Sequence, residues 1–195
     1  MSRHTRVLTL ALLLSIGPGC HESDDVMTPP PQTVTVELRY DGDNATAPNL
    51  PAATYEAAAR FTTAQTGDVA GGELVEILFY IQSAPDNCQV KVYGPGAADS
   101  PGALLYVANV NAGILANDWN SHVLANPVAI PDGDLWITIE FAHATTLRVI
   151  GCDAGPVVPD GDWLFSSADA IWLPFNQRFS ASINWNIRGI AEVTR

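Results

Sequence analysis

Short segments in which apolar and polar side chains alternate are the feature that most constrains the fold of this chain. Thr33 to Tyr40 (TVTVELRY) and Leu135 to Phe141 (LWITIEF) each place an apolar side chain at every second position. Because successive side chains of a β-strand point to opposite sides, each segment predicts a strand with one buried face. Leu74 to Gln82 (LVEILFYIQ) is apolar on both faces, which predicts a central strand.

Turn-forming residues divide the chain after residue 32 into further segments of this kind. Asp-Gly pairs supply the positive φ angles that tight turns require, and Pro-Asp-Gly-Asp occurs twice. The alanines of the second segment also fit a short helix, but Arg60-Phe61-Thr62 favours a strand. The predicted strands are Thr33 to Tyr40, Tyr55 to Thr62, Leu74 to Gln82, Cys88 to Tyr93, Ala103 to Val110, Ser121 to Ala125, Leu135 to Phe141, Leu147 to Ile150, Trp163 to Phe165 and Ile183 to Val193.

These segments predict an all-β fold, because no segment between them has a convincing amphipathic helical pattern. Many short strands within one domain are typical of two packed antiparallel sheets. We therefore expect a two-sheet β-sandwich of jelly-roll type with about ten strands, formed by residues 33–195.

The first 32 residues have a different character. Residues 1–6 contain Arg3 and Arg6, and the apolar run VLTLALLLSI follows, which is too short to span a bilayer but suits a signal peptide. Gly17-Pro18-Gly19-Cys20 then resembles the lipobox of bacterial lipoproteins, although Gly17 stands where that family prefers an aliphatic residue. The resemblance implies a signal peptide over residues 1–19 and a lipid-bearing Cys20. The alternative is an ordinary secretory leader that leaves Cys20 as a spare thiol.

Residues 20–32 are polar and then proline-rich, so they predict an extended tether that holds the domain away from the membrane. The expected location is therefore the cell envelope, either the periplasmic face of a membrane or the cell surface, with the lipid on Cys20 as the membrane contact.

The charge of the chain argues against nucleic acid as a partner. After residue 19, seven Lys and Arg stand against 21 Asp and Glu, a formal charge of −14. Phosphate binding requires clustered cations, whereas Lys91 is the single lysine and the arginines are scattered.

Two cysteines, Cys88 and Cys152, fall within the predicted domain. An exported protein with an even number of domain cysteines commonly forms a disulfide, so we predict a bond between them. The alternative is a pair of buried thiols that act as small apolar side chains.

Several short motifs in the second half of the chain occur in a fixed order. They are Gly151-Cys152-Asp153-Ala154-Gly155-Pro156, Gly161-Asp162-Trp163 and Asn184-Trp185-Asn186-Ile187-Arg188. Together with Leu38-Arg39-Tyr40-Asp41 and Val90-Lys91-Val92-Tyr93, this order resembles the β-sandwich accessory domain of bacterial secreted and surface proteins, gingipain-like proteases among them. The resemblance implies a non-catalytic domain with an adhesin-like or carbohydrate-binding role.

The predicted domain lacks the usual signatures of catalysis. No Gly-x-Ser-x-Gly motif is present, and the two histidines of the domain, His122 and His143, adjoin no motif. The histidines and cysteines also lack the spacing of a zinc site. We therefore expect that the protein is not an enzyme.

Calcium is the ion that the sequence favours. Asp41-Gly42-Asp43-Asn44 presents closely spaced oxygen ligands, which suits a hard cation, although the spacing is not that of an EF-hand. Asp41 and Asp43 are therefore candidate calcium ligands. The alternative is that these residues simply form a turn.

Three aromatic residues are candidates for contact with a ligand. Trp136 is out of phase with the apolar positions of its segment, Trp172 lies in a predicted loop, and Tyr93 falls on the polar side of its strand. Each would present a ring to a sugar or a protein, and the alternative is that these rings pack beneath loops.

The leading functional hypothesis is a lipoprotein whose domain binds carbohydrate or protein. A polysaccharide hydrolase with paired carboxylates is the second hypothesis, because strands bring distant acids side by side. A structural envelope protein without a discrete ligand is the third.

Overall fold

The computed structural model describes residues 30–195, which contain ten strands. The strands are β1 (Thr33–Leu38), β2 (Ala53–Phe61), β3 (Glu73–Ile81), β4 (Asn87–Tyr93), β5 (Leu104–Asn109), β6 (Asp118–Ala129), β7 (Leu135–His143), β8 (Trp163–Ser166), β9 (Ile171–Pro174) and β10 (Ile187–Thr194). Two short helices, α1 (Thr63–Thr66) and α2 (Phe175–Phe179), accompany two 3₁₀ turns at Gly67–Val69 and Asn111–Gly113. No helix within residues 30–195 has the length and apolar character needed to cross a membrane.

The predictions for the start of the chain fall outside the described residues. These are the signal peptide of residues 1–19, the lipid on Cys20 and the greater part of the tether of residues 20–32. Residues Pro31–Arg195 form one compact unit.

The strands form two antiparallel sheets, as the alternation predicts. The four-stranded sheet has the order β1-β10-β3-β6, and the six-stranded sheet has the order β5-β4-β7-β2-β8-β9. The pairs β1–β10, β2–β7, β3–β6 and β4–β5 follow the pattern of a hairpin rolled onto itself, which is the jelly roll. The β8–β9 hairpin is an addition that extends the six-stranded sheet beyond β2.

The core lies between the two sheets and consists of the inward side chain of every second strand residue. In β7 these are Leu135, Ile137, Ile139 and Phe141, all fully buried. The last predicted segment also faces inward as expected, with Ile183, Trp185 and Ile187 buried.

Two segments differ from the prediction. Leu147 to Ile150 forms only isolated bridges, Leu50 to Leu147 and Ile81 to Ile150, instead of a strand. The stretch from Ala170 to Pro174, expected to be a loop, contains β9, whose Trp172 lies opposite Phe165 of β8. A four-residue strand ending in proline has little local signal, so its pairing partner decides its structure.

Candidate functional site

The solvent side of the six-stranded sheet, here called the outer face, is covered by packed side chains instead of isolated polar residues. Strand alternation places on it Glu56, Ala58 and Arg60 of β2, Lys91 and Tyr93 of β4, Trp136, Thr138 and Glu140 of β7, and Trp163, Phe165 and Trp172 of β8 and β9. Thr138 and Trp136 are 0% exposed and Glu56 is 5% exposed. The solvent-facing side of an antiparallel sheet is usually exposed to water, so the burial of these side chains distinguishes the outer face from an ordinary sheet surface.

Aromatic rings occupy one half of the outer face. This aromatic group consists of Tyr93, Trp136, Trp163, Phe165 and Trp172. The Trp136 ring centre lies 5.3 Å from that of Trp163 and 5.8 Å from that of Trp172, and Phe165 lies 5.6 Å from Trp172. Trp136 is fully enclosed, whereas Tyr93 and Trp172 are half-buried and form the accessible rim of the group.

Charged side chains and one hydroxyl occupy the other half of the outer face. This ionic group consists of Glu56, Lys91 and Glu140 together with Thr138. The Lys91 ammonium lies 2.6 Å from a Glu140 oxygen and 3.2 Å from a Glu56 oxygen, and the Thr138 hydroxyl donates to Glu56. Glu56 and Glu140 are direct cross-strand partners, which explains how one ammonium reaches both.

The surroundings tune the ionisable groups at the border between the two halves. Burial opposes the charge of Lys91, but the hydrogen bond to Glu140 and the negative charge of Glu56 raise its pKa overall. Burial, and then the negative charge of Glu56, raises the pKa of Tyr93. Lys91 is therefore a permanent cation and Tyr93 a neutral phenol.

Arg60 joins the aromatic group to the loops around it. Its guanidinium bonds to Asp134 at 2.8 Å, lies 3.5 Å from Asp160, and sits 5.4 Å from the ring centre of Trp136. The Trp163 indole N–H also donates to Asp160, at 3.1 Å. These contacts hold the rings of the aromatic group in place.

Depressions in the surface adjoin the aromatic group on both sides of the β8–β9 hairpin. One, of about 340 Å³, is lined by Trp172 together with Asp99 and Ser100. The other, of about 290 Å³, is lined by Trp163, Asp160 and neighbouring residues. Rings, carboxylates and hydroxyls therefore border open space at this end of the sheet.

The structure brings together the three aromatic residues that the sequence singles out. Tyr93, Trp136 and Trp172 belong to the same aromatic group. The prediction for Trp136 needs correction: it does point to the outer face, but its neighbours cover it, so it supports the other rings instead of contacting solvent. Trp172 and Tyr93 remain the rings that a ligand could reach.

The ionic group was not foreseen from the sequence. Glu56, Lys91 and Glu140 lie on three different strands, and no local spacing relates them. The one signal available was that Lys91 is the single lysine of the chain and lies on a regular strand.

The predicted disulfide is not present in the structure. Cys88 and Cys152 are both free and buried. Cys88 lies on β4 opposite Phe141 of β7, whereas Cys152 lies outside the strands and bridges to Thr46 and Trp185. Burial raises the pKa of each thiol to about 12, so both cysteines are uncharged and pack in the core as small apolar side chains.

The geometry gives no support to calcium ligands at Asp41 and Asp43. Asp41 is buried, and its carboxylate accepts hydrogen bonds from Arg188 at 3.0 Å and Asn186 at 2.7 Å. Asp43 is exposed. Within residues 30–195, no three His, Cys, Asp or Glu side chains come together as a metal site would require.

The motifs that carry the family resemblance form a buried polar network next to β8. Asp153 accepts hydrogen bonds from the backbone N–H and the side-chain amide of Asn184, at 2.8 and 2.9 Å. The Trp185 indole donates to the backbone oxygen of Trp163 at 2.8 Å. These residues fix the base of the β8–β9 hairpin, so their role is structural.

The structure is therefore a jelly-roll β-sandwich in which packed aromatic and charged side chains cover the outer face of the larger sheet.

No protein-family model matches the chain, and no curated protein is significantly similar to it. Among solved structures, the chain is similar to the clostridial cysteine protease Cwp84 after propeptide cleavage, with a TM-score of 0.55 and 14% identity over 83% of this chain and 40% of that one.

A structure of the cysteine protease and lectin-like domains of Cwp84, a surface-layer-associated protein of Clostridium difficile, is also similar. Its TM-score is 0.50, with 14% identity over 72% of this chain and 32% of that one. The chain thus spans less than half the length of either structure. At this identity the likeness is one of fold, and it agrees with the expected all-β sandwich.

Proposed function

We propose that this domain is a non-catalytic binding module that binds carbohydrate on the outer face of the six-stranded sheet. The observation that carries the proposal is the aromatic group beside the ionic group, with Trp172 and Tyr93 at its accessible rim. Sugars present flat C–H faces and a ring of hydroxyls. A site that combines aromatic rings with a few fixed polar groups matches both features.

The side chains of the site are already held in place, which favours binding. The rings of Trp136 and Phe165 pack against Trp172, and Lys91 is fixed between two carboxylates. Ordering a side chain on binding costs about 0.5–1.5 kcal/mol, so a preformed site loses less affinity. The lectin-like domain named in the Cwp84 structure gives this proposal further support at the level of the fold.

The charge of the outer face favours a neutral glycan over an anionic one. Lys91 is paired with Glu56 and Glu140, and Arg60 with Asp134 and Asp160. Each cation therefore meets two carboxylates, which leaves the face with excess negative charge. Uronic acids, sulfated sugars and phosphate-bearing polymers would be repelled, whereas hydroxyl groups can donate to the carboxylates.

The same ionic group argues against the hydrolase hypothesis. Glycoside hydrolysis requires one of two carboxyl groups to act as a proton donor. Here one ammonium contacts both Glu56 and Glu140, and the Thr138 hydroxyl donates to Glu56. Both carboxyl groups are therefore already occupied by contacts within the sheet, an arrangement that suits binding.

A glycan array probed with residues 30–195, followed by calorimetry on the best neutral oligosaccharide, tests the proposed function. Trp172→Ala should weaken binding by about 30-fold, since an aromatic ring that the ligand covers is worth about 2 kcal/mol. Trp119→Ala is the matched control, because Trp119 is a half-buried tryptophan on β6 of the other sheet. Binding of anionic glycans alone, or equal loss in both variants, would contradict the proposal.

We also propose that the protein is exported and anchored to a membrane of the cell envelope through Cys20. The support is the basic and apolar leader, the lipobox-like Gly17-Pro18-Gly19-Cys20 and the tether that follows. Metabolic labelling with a palmitate analogue should mark the wild-type chain and leave Cys20→Ser unmarked. Equal labelling, or none in the wild type, would refute the anchor.

A further inference from the structure

Among the strands of residues 30–195, β5 ends the six-stranded sheet and pairs only with β4. The backbone N–H of Val110 bonds to Cys88 O, and antiparallel strands bond to one neighbour at every second residue. Tyr106 and Ala108 therefore bond to β4, while the N–H and C=O groups of Val107 point to the open edge. The register of the β4–β5 pair shifts between Val92 and Tyr93, so the regular alternation ends at Leu105. A third strand could pair with β5 around Val107.

The side chains along this edge are apolar and exposed. Leu104 is 51% exposed, Leu105 45% and Val107 49%. Exposed apolar side chains on an unpaired edge strand are uncommon, because such an edge readily pairs with another strand.

The other three sheet edges carry the features that block such pairing. Edge strand β1 contains Glu37, β6 contains Pro127, and β9 ends at Pro174 with Arg178 bonded to the Ile171 carbonyl. Charges, prolines and covered carbonyls are the usual protection of sheet edges. In contrast, β5 (LLYVAN) has no charge and no proline, and its one irregularity is the register shift opposite Val92 and Tyr93, at the end of the strand away from Asn109.

The charge distribution favours a second copy of the chain as the occupant of this edge. Residues 30–195 carry seven Lys and Arg against 18 Asp and Glu, so two copies repel each other over most of their surfaces. No charged residue lies between Asp99 and Asp118, and β5 is in the middle of this stretch. Two acidic molecules therefore meet with the least repulsion along β5.

We propose that two copies associate through β5, antiparallel to each other about a two-fold axis. The axis passes near Val107, which places each Val107 opposite its counterpart and each Leu105 opposite Asn109 of the second copy. This pairing satisfies the open backbone groups, buries the exposed leucines and valines, and joins the two six-stranded sheets into one. The inference stands independently of the proposed carbohydrate site.

Sedimentation equilibrium on residues 30–195 tests the dimer. The wild type should show a monomer–dimer equilibrium that strengthens as salt screens the acidic surfaces. Val107→Lys sets two like charges face to face and should raise the dissociation constant by about 100-fold or more. Val123→Lys is the matched control, because Val123 is an exposed valine on edge strand β6, and it should leave the equilibrium unchanged.

Oxidative crosslinking gives a second readout that does not depend on disrupting the edge. Val107→Cys should form a disulfide-linked dimer, because residues directly opposite in an antiparallel pair are close enough to bond. Val123→Cys should not, and Cys88 and Cys152 are buried and unreactive. A wild type that stays monomeric at about 0.2 mM, or crosslinking at Val123 instead of Val107, would overturn the proposal.

Discussion

Three buried aspartates, Asp41, Asp153 and Asp162, have different hydrogen-bond partners, although all three lie in sequences that are typical of turns. Asp41 is paired with Arg188, Asp153 accepts several N–H groups, and Asp162 accepts the backbone N–H of Asn176 at 2.9 Å. Each carboxylate therefore connects segments that are separated in the sequence.

Replacing Asp41 should remove the partner of a largely buried arginine. The Asp41 side chain is 0% exposed and that of Arg188 is 15% exposed, so Asp41→Asn should lower the free energy of unfolding by about 3 kcal/mol. Asp43→Asn, at an exposed position two residues further along, should change the free energy of unfolding by less than about 0.5 kcal/mol. Urea unfolding with and without calcium measures both, and a calcium-dependent loss in both variants would revive a calcium site here.

The acid sensitivity of the fold should respond in opposite directions at Asp153 and Asp162. Burial raises the pKa of Asp153, but hydrogen bonds from Asn184, Gly155 and Gly42 lower it overall, below the usual 3.8. A folded-state pKa below the unfolded one adds stability above pH 3.8 that is lost as the pH falls through the folded value. Burial raises the pKa of Asp162, so its ionisation subtracts stability as the pH rises.

Asp153→Asn should therefore flatten the rise of unfolding free energy with pH on the acid side, and Asp162→Asn should steepen it. Urea unfolding at a series of pH values between about 2.5 and 7 gives both slopes. Unchanged slopes in both variants would show that other carboxylates govern acid unfolding.

The sequence shows which residues are polar and near turns, but it does not show their partners. Asp41-Gly42-Asp43-Asn44 has the composition of a cation site, and Arg188, which neutralises Asp41, lies 147 positions away. Partners at such separations follow from topology, which local spacing does not encode. The error at Cys88 and Cys152 has the same origin.

At the scale of elements, the distance between the two sheets is set where β10 crosses β7. A Cβ on Gly189 would lie 2.5 Å from Ile137 Cδ1 and 2.7 Å from Leu74 Cδ1, so a larger residue would force the ends of these two side chains to move. Gly189→Ala should lower the unfolding free energy by about 1–3 kcal/mol through overpacking.

Gly113→Ala is the control for that change, because no atom lies within 4 Å of its Cβ position. Its effect should stay within about 0.5 kcal/mol. Thermal and urea unfolding of both variants provide the comparison, and equal effects would mean that the sheets can separate at β10 without cost.

Side-chain alternation predicts most of the elements, because each strand buries one face against the core. It gives β3 and β7 almost residue for residue. It fails at Leu147 to Ile150, where apolar residues fill the core from a loop, and at β9, where the hairpin partner makes the strand. In both places tertiary contacts outweigh the local pattern.

At the scale of the whole molecule, the order of strands assembles the candidate site. β4, β7, β2, β8 and β9 are neighbours in the sheet, and this order carries Lys91, Glu56 and Trp172 onto one surface. The alternation indicates that Tyr93 and Trp136 leave the core, and this much was predictable. Their assembly with Glu56 and Glu140 was not, because it depends on strand order.

A dimer through β5 would place two outer faces on one continuous sheet. Individual carbohydrate contacts are weak, and two linked sites on a polysaccharide gain affinity through effective concentration. Val107→Lys should accordingly lower the affinity for a long glycan while leaving that for a short oligosaccharide unchanged. Calorimetry with both ligand lengths separates the two effects, and equal affinities for the long glycan would disconnect the dimer from binding.

The five tryptophans of the chain allow a direct test of whether the outer face of the six-stranded sheet binds neutral carbohydrate. Nuclear magnetic resonance resolves their indole N–H signals during titration with a neutral oligosaccharide. We expect the signal of Trp172 to shift most, followed by those of Trp136, which contacts it, and Trp163, which contacts Trp136, while Trp119 and Trp185 stay unchanged. Shifts confined to Trp119, or no shift at saturating ligand, would contradict binding at the outer face.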